Sequence, residues 1–165
     1  MKRLLLAVAL VLLTAASGVA SHLDRSTLGL VRWAGCSADL TTSDEVGVEG
    51  SGYSPSEHRL YIGTAPGAPD YVRTVVVLHE IGHCLQAQEG ILHSMPAVES
   101  ELDADRRAAD LACALELDGA RLLHDAMVWA HETFGYDGDP GHGTLAERIS
   151  TSDLAYSCRV PPLQS

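Results

Sequence analysis

An α+β domain is what this sequence predicts, and three observations predict it. Short alternating runs fill the first part of the chain and long stretches with helical spacing fill the rest, a segregated order typical of α+β folds. The stretch "YVRTVVVLHEIGHCLQAQ" (71–88) holds no Pro and no Gly except Gly82, and it is too long for an ordinary strand. At 165 residues the chain fits the length of one domain.

The elements follow in order. Residues 1–20 read as a signal peptide: Lys2 and Arg3 form a basic start, Leu4 to Leu13 an apolar run, and Gly18-Val19-Ala20 a small-residue cleavage site before Ser21. The apolar run is shorter than the ~20 residues a membrane span needs. No cysteine follows it to take a lipid. The expected product is a secreted domain over residues 21–165, with no stable membrane span once the signal is removed. From Ser26 to Ile62, "LGLVRWAG" (28–35), "EVGVEGSGY" (45–53) and "HRLYIGT" (58–64) read as short strands separated by turns. "TAPGAPD" (64–70) is a loop, and Asp70 can cap a helix running through HEIGH to about Gln88. The β-branched run Val75-Val76-Val77 suits a strand by propensity, but the length of the uninterrupted stretch decides for helix.

"GILHSMP" (90–96) breaks the chain. A second helix fits Ala97 to Asp118, with Pro96 near its first turn, acidic residues early and Gly119 after its end. "ARLLHDAMVWAHETF" (120–134) makes a third, whose apolar side is Leu122, Ala126, Val128, Trp129 and Phe134. "YDGDPGHG" (136–143) is a turn-rich loop, and "TLAERISTSDLAYS" (144–157) a last helix.

Charge and cysteines narrow the class of function. The formal charge is −11, and removing residues 1–20 takes away Lys2 and Arg3 and leaves no lysine. An acidic body repels phosphate backbones and anionic lipid surfaces, so nucleic acid is not an expected partner. Cys36, Cys84, Cys113 and Cys158 are even in number and contain no C-x-x-C pair, which favours two disulfides over a thiolate metal site.

The chemistry is concentrated in HEIGH (79–83). On a helix His79 and His83 are about 400° apart in rotation and ~6 Å in rise, so both imidazoles share a face and can reach one ion. Glu80, one step round, can reach a metal-bound water without being a ligand. Three groups compete for the third coordination place. Glu89 stands ten residues after His79, where the metzincin pattern has a histidine, and the glycine that pattern also needs is here Gln86. His93 lies in the following loop. In "ESELDADRRAADLA" (99–112), Glu101 and Asp105 share a helix face, so Glu101 could complete the ligand set while Asp105 accepts the free ring N–H of His79. Glu99 and Asp103 should face elsewhere. The bland reading of this acidic cluster is a solvated, dipole-favoured helix start.

HEIGH (79–83) with E-x-x-A-D-R (Glu101, Ala104, Asp105, Arg106) resembles the gluzincin zinc peptidases, in particular the heat-shock and CAAX-prenyl-protein protease branch. That branch tends to carry a later H-P-x-x-x-E-R-I element. Here His142, Glu147, Arg148 and Ile149 match its spacing, with Gly143 in place of the proline. The likeness covers roughly residues 72–150 through three short motifs. It implies a small zincin-like domain in which a short strand region precedes a helical part carrying the metal site. It also implies one Zn2+ per chain on His79, His83 and Glu101, with Asp105 behind a histidine. Members of the branch usually carry transmembrane helices, whereas this sequence offers only an apparent signal peptide, so the resemblance is not expected to extend to a membrane substrate. It further implies that an edge strand along the cleft, "HRLYIGT" (58–64), receives substrate backbone by strand addition.

The expected activity is peptide-bond hydrolysis of a peptide or protein substrate. Three protein ligands leave a fourth position for water, whose pKa falls to about 7 on zinc. Glu80 acts as general base and returns the proton to the departing amine. His142, in its Gly-flanked loop, or Arg148 would supply a second electrophile; His142 is preferred, its plain alternative being a cap for the last helix, and Arg148 is read as pairing with a structural carboxylate. Tyr61 is read as packing, and His22, His58, His124 and His131 as surface residues. The competing function is a zinc-containing binding module or pseudoenzyme that cuts nothing.

A shared zinc also constrains the disulfides. If His83 and Glu101 hold one ion, Cys84 lies within roughly 16 Å of Glu101, while Cys113 is about 18 Å further along Glu101's helix. Bridging Cys84 to Cys113 would need everything stretched in line, so the expected pairs are Cys36 with Cys84 and Cys113 with Cys158.

Overall fold

The computed structural model describes residues 25–42, 50–63 and 67–155. The predicted signal peptide (1–20), much of the predicted strand 45–53 and Cys158 lie outside the described residues. The fold is α+β. In chain order it runs α1 (Arg25–Trp33), β1 (Asp39–Thr42), β2 (Gly52–Ser54), β3 (Arg59–Ile62), α2 (Asp70–Gln88), α3 (Ala97–Ala114), α4 (Gly119–Phe134), β4 (Gly138–Asp139), β5 (Gly143–Thr144) and α5 (Leu145–Ala155).

Residues 28–33 of the stretch 28–35 are helical and the last two form a turn, so it is not a strand. Leu30 and Val31 are adjacent and both buried, which a strand's alternation cannot achieve but a helix stripe can. β1 went unread because "DLTT" is four residues with little apolar alternation. β3 pairs parallel with β1 (Leu40 opposite Leu60) and antiparallel with β2 (Tyr53 opposite Leu60). "HRLYIGT" is therefore the middle of a three-stranded sheet ordered β1-β3-β2, and not an edge as expected. Both its ladders are filled, so it has no backbone groups left for an added strand.

The sheet lies against α2 through β2 and β3. Leu60, Leu78 and Ile81 are fully enclosed at 0 % exposure, each burial worth about 1.5–3 kcal/mol. They join Leu30, Val31, Cys36, Val72 and Val75 in one core that continues through Ala108, Ala112 and Leu123. That packing keeps the valine run helical. Asp70 is the first residue of α2 and does not cap it; Pro69 takes the cap position with no side-chain bond.

α3 stops at Ala114, short of the expected Asp118, because Glu116 turns into left-handed backbone (φ 64°). Asp118 instead caps α4 by accepting from the Arg121 N–H. Gly119 is required there: a Cβ would sit 2.3 Å from the Ala109 carbonyl oxygen. α5 starts on a capping box in which Thr144 and Glu147 bond each other reciprocally. α5 lies against both α3 and α4.

One of the two expected disulfides lies wholly within the described residues. Cys36 and Cys84 are bridged, as the spacing argument predicts. Cys113 is also disulfide-bonded, and its expected partner Cys158 is outside the described residues. Among the described residues no helix is long and apolar enough to cross a membrane.

Candidate metal centre

α2 and α3 cross with backbone almost in contact. A Cβ on Gly82 would lie 2.9 Å from the Ala104 carbonyl oxygen and 3.0 Å from its Cα. His79 and His83 flank Gly82 on one helix, while Glu101 and Asp105 flank Ala104 on the other. The glycine and the alanine thus bring four chemistry-bearing side chains together by letting their helices close up.

Hydrogen positions at the two imidazoles follow from their neighbours. His79 Nδ1 lies 2.8 Å from Asp105 Oδ1. Asp105 is held ionised: burial alone would raise its pKa, but the bonds from Arg148 and His79 outweigh that and pull it below the usual range. A carboxylate only accepts, so His79 Nδ1 carries the proton. His83 Nδ1 lies 2.9 Å from Gln86 Oε1. The Gln86 amide cannot be turned round, because its nitrogen donates to the Ser100 carbonyl (2.7 Å) and to Asp103 Oδ2 (3.0 Å), both acceptors. His83 Nδ1 therefore carries a proton as well.

With each Nδ1 engaged as a donor, Nε2 is the ring atom left to bind an ion, and the two Nε2 atoms face each other at 3.1 Å. Glu101 adds its carboxylate, with Oε2 3.1 Å from His79 Nε2 and Oε1 3.3 Å from His83 Nε2. Two imidazole nitrogens and a carboxylate converging this closely favour positive charge between them, supplied by a proton or by a metal cation. His79, His83 and Glu101 form a group able to hold a metal ion. Their spacing is close to the ~3.3 Å edge of a tetrahedron with bonds of ~2 Å. The local field agrees. Burial would lower the His79 pKa, yet the bonds to Asp105 and Glu101 push it up to about 10. Burial would raise Glu101, and the two histidines drive it far below the carboxylate range instead.

Glu80 is buried beside this cluster, and its Oε2 has no hydrogen-bond partner. Burial raises its pKa, against the opposing pull of His79, His83 and His142. An enclosed carboxylate oxygen with nothing bound to it is costly, and such atoms demand an explanation. His142 is exposed, and its Nδ1 is 2.7 Å from Asp139 Oδ2. Asp139 is itself fixed by the Gly141 and His142 backbone N–H groups. His142 does not cap α5, since Thr144 and Glu147 fill that role.

Compared with protein-family models, curated proteins and solved structures, the chain matches none. The remaining candidates are placed by their contacts. Glu89 is no ligand: both its oxygens accept from Arg107 at 2.8 Å. His93 is exposed and outside the metal-holding group. Arg148 is buried and commits its Nε and one terminal nitrogen to Asp105 at 2.8 and 2.7 Å, the pairing with a structural carboxylate expected of it. The Tyr61 hydroxyl donates to Glu57. His131 pairs with Asp137 and His124 with Asp125. Asp103 lies outside the metal-holding group, as its place on the helix implies, and links Gln86 to Arg107. Gln86 and Ser100 were missed outright. The available signal was Gln86's position, one turn after His83 and on the same face.

Proposed function

We propose that the protein is a secreted zinc-dependent endopeptidase of the gluzincin kind, with one Zn2+ per chain on His79, His83 and Glu101. Two imidazole nitrogens and a carboxylate oxygen are a donor set that suits zinc. The observation that carries the reading is Glu80, a buried carboxylate whose Oε2 lacks any partner, next to three converging ligand groups. A purely structural metal site closes its coordination with protein atoms and needs no such base.

Zinc bound there would polarise a peptide carbonyl and lower the pKa of its water to about 7. Glu80 takes a proton from the attacking water and passes it to the departing amine nitrogen. Burial raises its pKa, which makes it a stronger base than a solvated carboxylate. Asp105 and Gln86 hold the two imidazoles in the tautomer that offers Nε2. His142, steadied by Asp139, is the group we assign to the developing oxyanion. Export is supported by residues 1–20 and by a disulfide beside the site, which suits an oxidising compartment.

The test pairs metal analysis with a quenched-peptide assay. Wild type should bind about one equivalent of zinc and Glu101→Ala much less. Glu80→Gln should keep zinc but lose about 10²–10⁴-fold in rate. Equal residual rates in wild type and Glu80→Gln would leave a zinc-containing binding module.

A further inference from the structure

The amide of Gln86 is saturated. It is 0 % exposed. Its nitrogen has two hydrogens and two acceptors, the Ser100 carbonyl and Asp103 Oδ2. Its oxygen has two lone pairs and two donors, His83 Nδ1 and Ser100 Oγ at 3.0 Å. Asp103 is in turn held by Arg107 at 2.7 Å, and Arg107 by Glu89. Turning this amide over would set its oxygen against two acceptors, the Ser100 carbonyl and Asp103 Oδ2, so its oxygen stays aimed at His83.

The two histidines are consequently held by unlike partners. His79 leans on an ionised carboxylate already neutralised by Arg148, while His83 leans on a neutral amide. We propose that Gln86 is a positioning residue for the metal: it locks His83 in the Nδ1–H tautomer and fixes the ring so that Nε2 faces His79 and Glu101. This rests on the metal-centre reading above. Without an acceptor at Nδ1, neutral His83 is free to carry its proton on Nε2, and a protonated nitrogen cannot ligate. Partners behind a metal-bound histidine are typically worth 10–100-fold in affinity.

Gln86 also ties α2 to α3, and the two jobs separate by substitution. Gln86→Met removes both. Gln86→Glu keeps an acceptor for His83 but loses the donations to Ser100 and Asp103. Zinc affinity is read by competition with a chromogenic chelator on the full mature chain, and folding by thermal melts of the metal-stripped protein. Both variants should melt below wild type. Gln86→Met should bind zinc about 10–100-fold more weakly, and Gln86→Glu within about threefold of wild type. Long-range ¹⁵N–¹H spectra of the metal-stripped chain should show His83 as the Nδ1–H form in wild type, with the Nε2–H form appearing in Gln86→Met. If Gln86→Glu fails to fold, Gln86→Glu with Asp103→Asn exchanges donor and acceptor across the same contact and takes its place. Equal weakening in the Met and Glu variants would reduce Gln86 to a helix tie and overturn the proposal. Unchanged affinity in Gln86→Met would overturn it too. A wild-type chain that binds no zinc would sink the metal reading itself, a result distinguishable from either.

Discussion

Asp105 is 1 % exposed, and Arg148 is what makes an ionised carboxylate tolerable there. The guanidinium spans both oxygens from a helix 43 residues away in sequence, so the α5 side of the fold is tied to the metal centre by one charged pair. Removing one partner of a buried pair strands the other's charge, which typically costs about 3–5 kcal/mol. Arg148→Met should therefore destabilise the chain by about that much in urea unfolding. Arg148→Lys should lose less, since it keeps the charge but not the fork. Adding Asp105→Asn to Arg148→Met should recover part of the loss; a purely additive double variant would show that the pair is not coupled. At this scale the histidines and acids were legible because i, i+4 spacing on a helix dictates a shared face. Gln86 and the Asp103–Arg107–Glu89 chain were not, because a neutral amide carries no metal signature and its partners come from another helix.

The crossing of α2 over α3 sets the geometry that the single residues use. Gly82→Ala drives a Cβ into Ala104's backbone, and the helices must part by some tenths of an ångström or more. Overpacking of this kind costs about 1–3 kcal/mol. It also separates His79 and His83 from Glu101, so zinc affinity should fall by at least about tenfold. Gly29→Ala is the control: nothing lies within 4 Å of its Cβ position, and on α1 it should stabilise by about 0.5–1 kcal/mol. Equal zinc affinity in Gly82→Ala and wild type would refute the claim that close approach builds the site. A second link across these helices is Glu89 to Arg107. Arg107 holds Glu89 below its usual pKa, a shift that burial only partly opposes. A depressed carboxyl contributes stability that is present above its unfolded pKa of about 4.3 and is lost as pH falls through the lower folded value. Glu89 is half exposed, so the contribution is about 1 kcal/mol or less. Glu89→Gln should thus melt below wild type at pH 7, and the two curves should converge as pH drops under about 4. The long helices were readable because their apolar spacing repeats for many turns. α1 was misread because a nine-residue window with Leu, Val and Trp fits both periods. The central place of β3 depends on pairing with remote segments, which no local pattern records.

For the molecule as a whole, the Cys36–Cys84 bridge matters most, since it joins the chain just after α1 to the residue immediately following His83. It closes a loop spanning 48 residues that contains the entire sheet. In the chain-entropy picture a loop of that size is worth about 4 kcal/mol, acting on the unfolded state. Both cysteines are buried in the core, so replacing them with alanine also removes sulfur packing. The Cys36→Ala, Cys84→Ala double variant should therefore lose about 2–5 kcal/mol in reversible unfolding. Its effect on the metal centre should be small, because the hydrogen bonds that orient His83 run through Gln86 to α3 and none involves a cysteine. Once folded, the variant should bind zinc within about threefold of wild type. A large loss of affinity in the folded double variant would mean that the disulfide, and not the polar contacts from α3, sets the direction of His83.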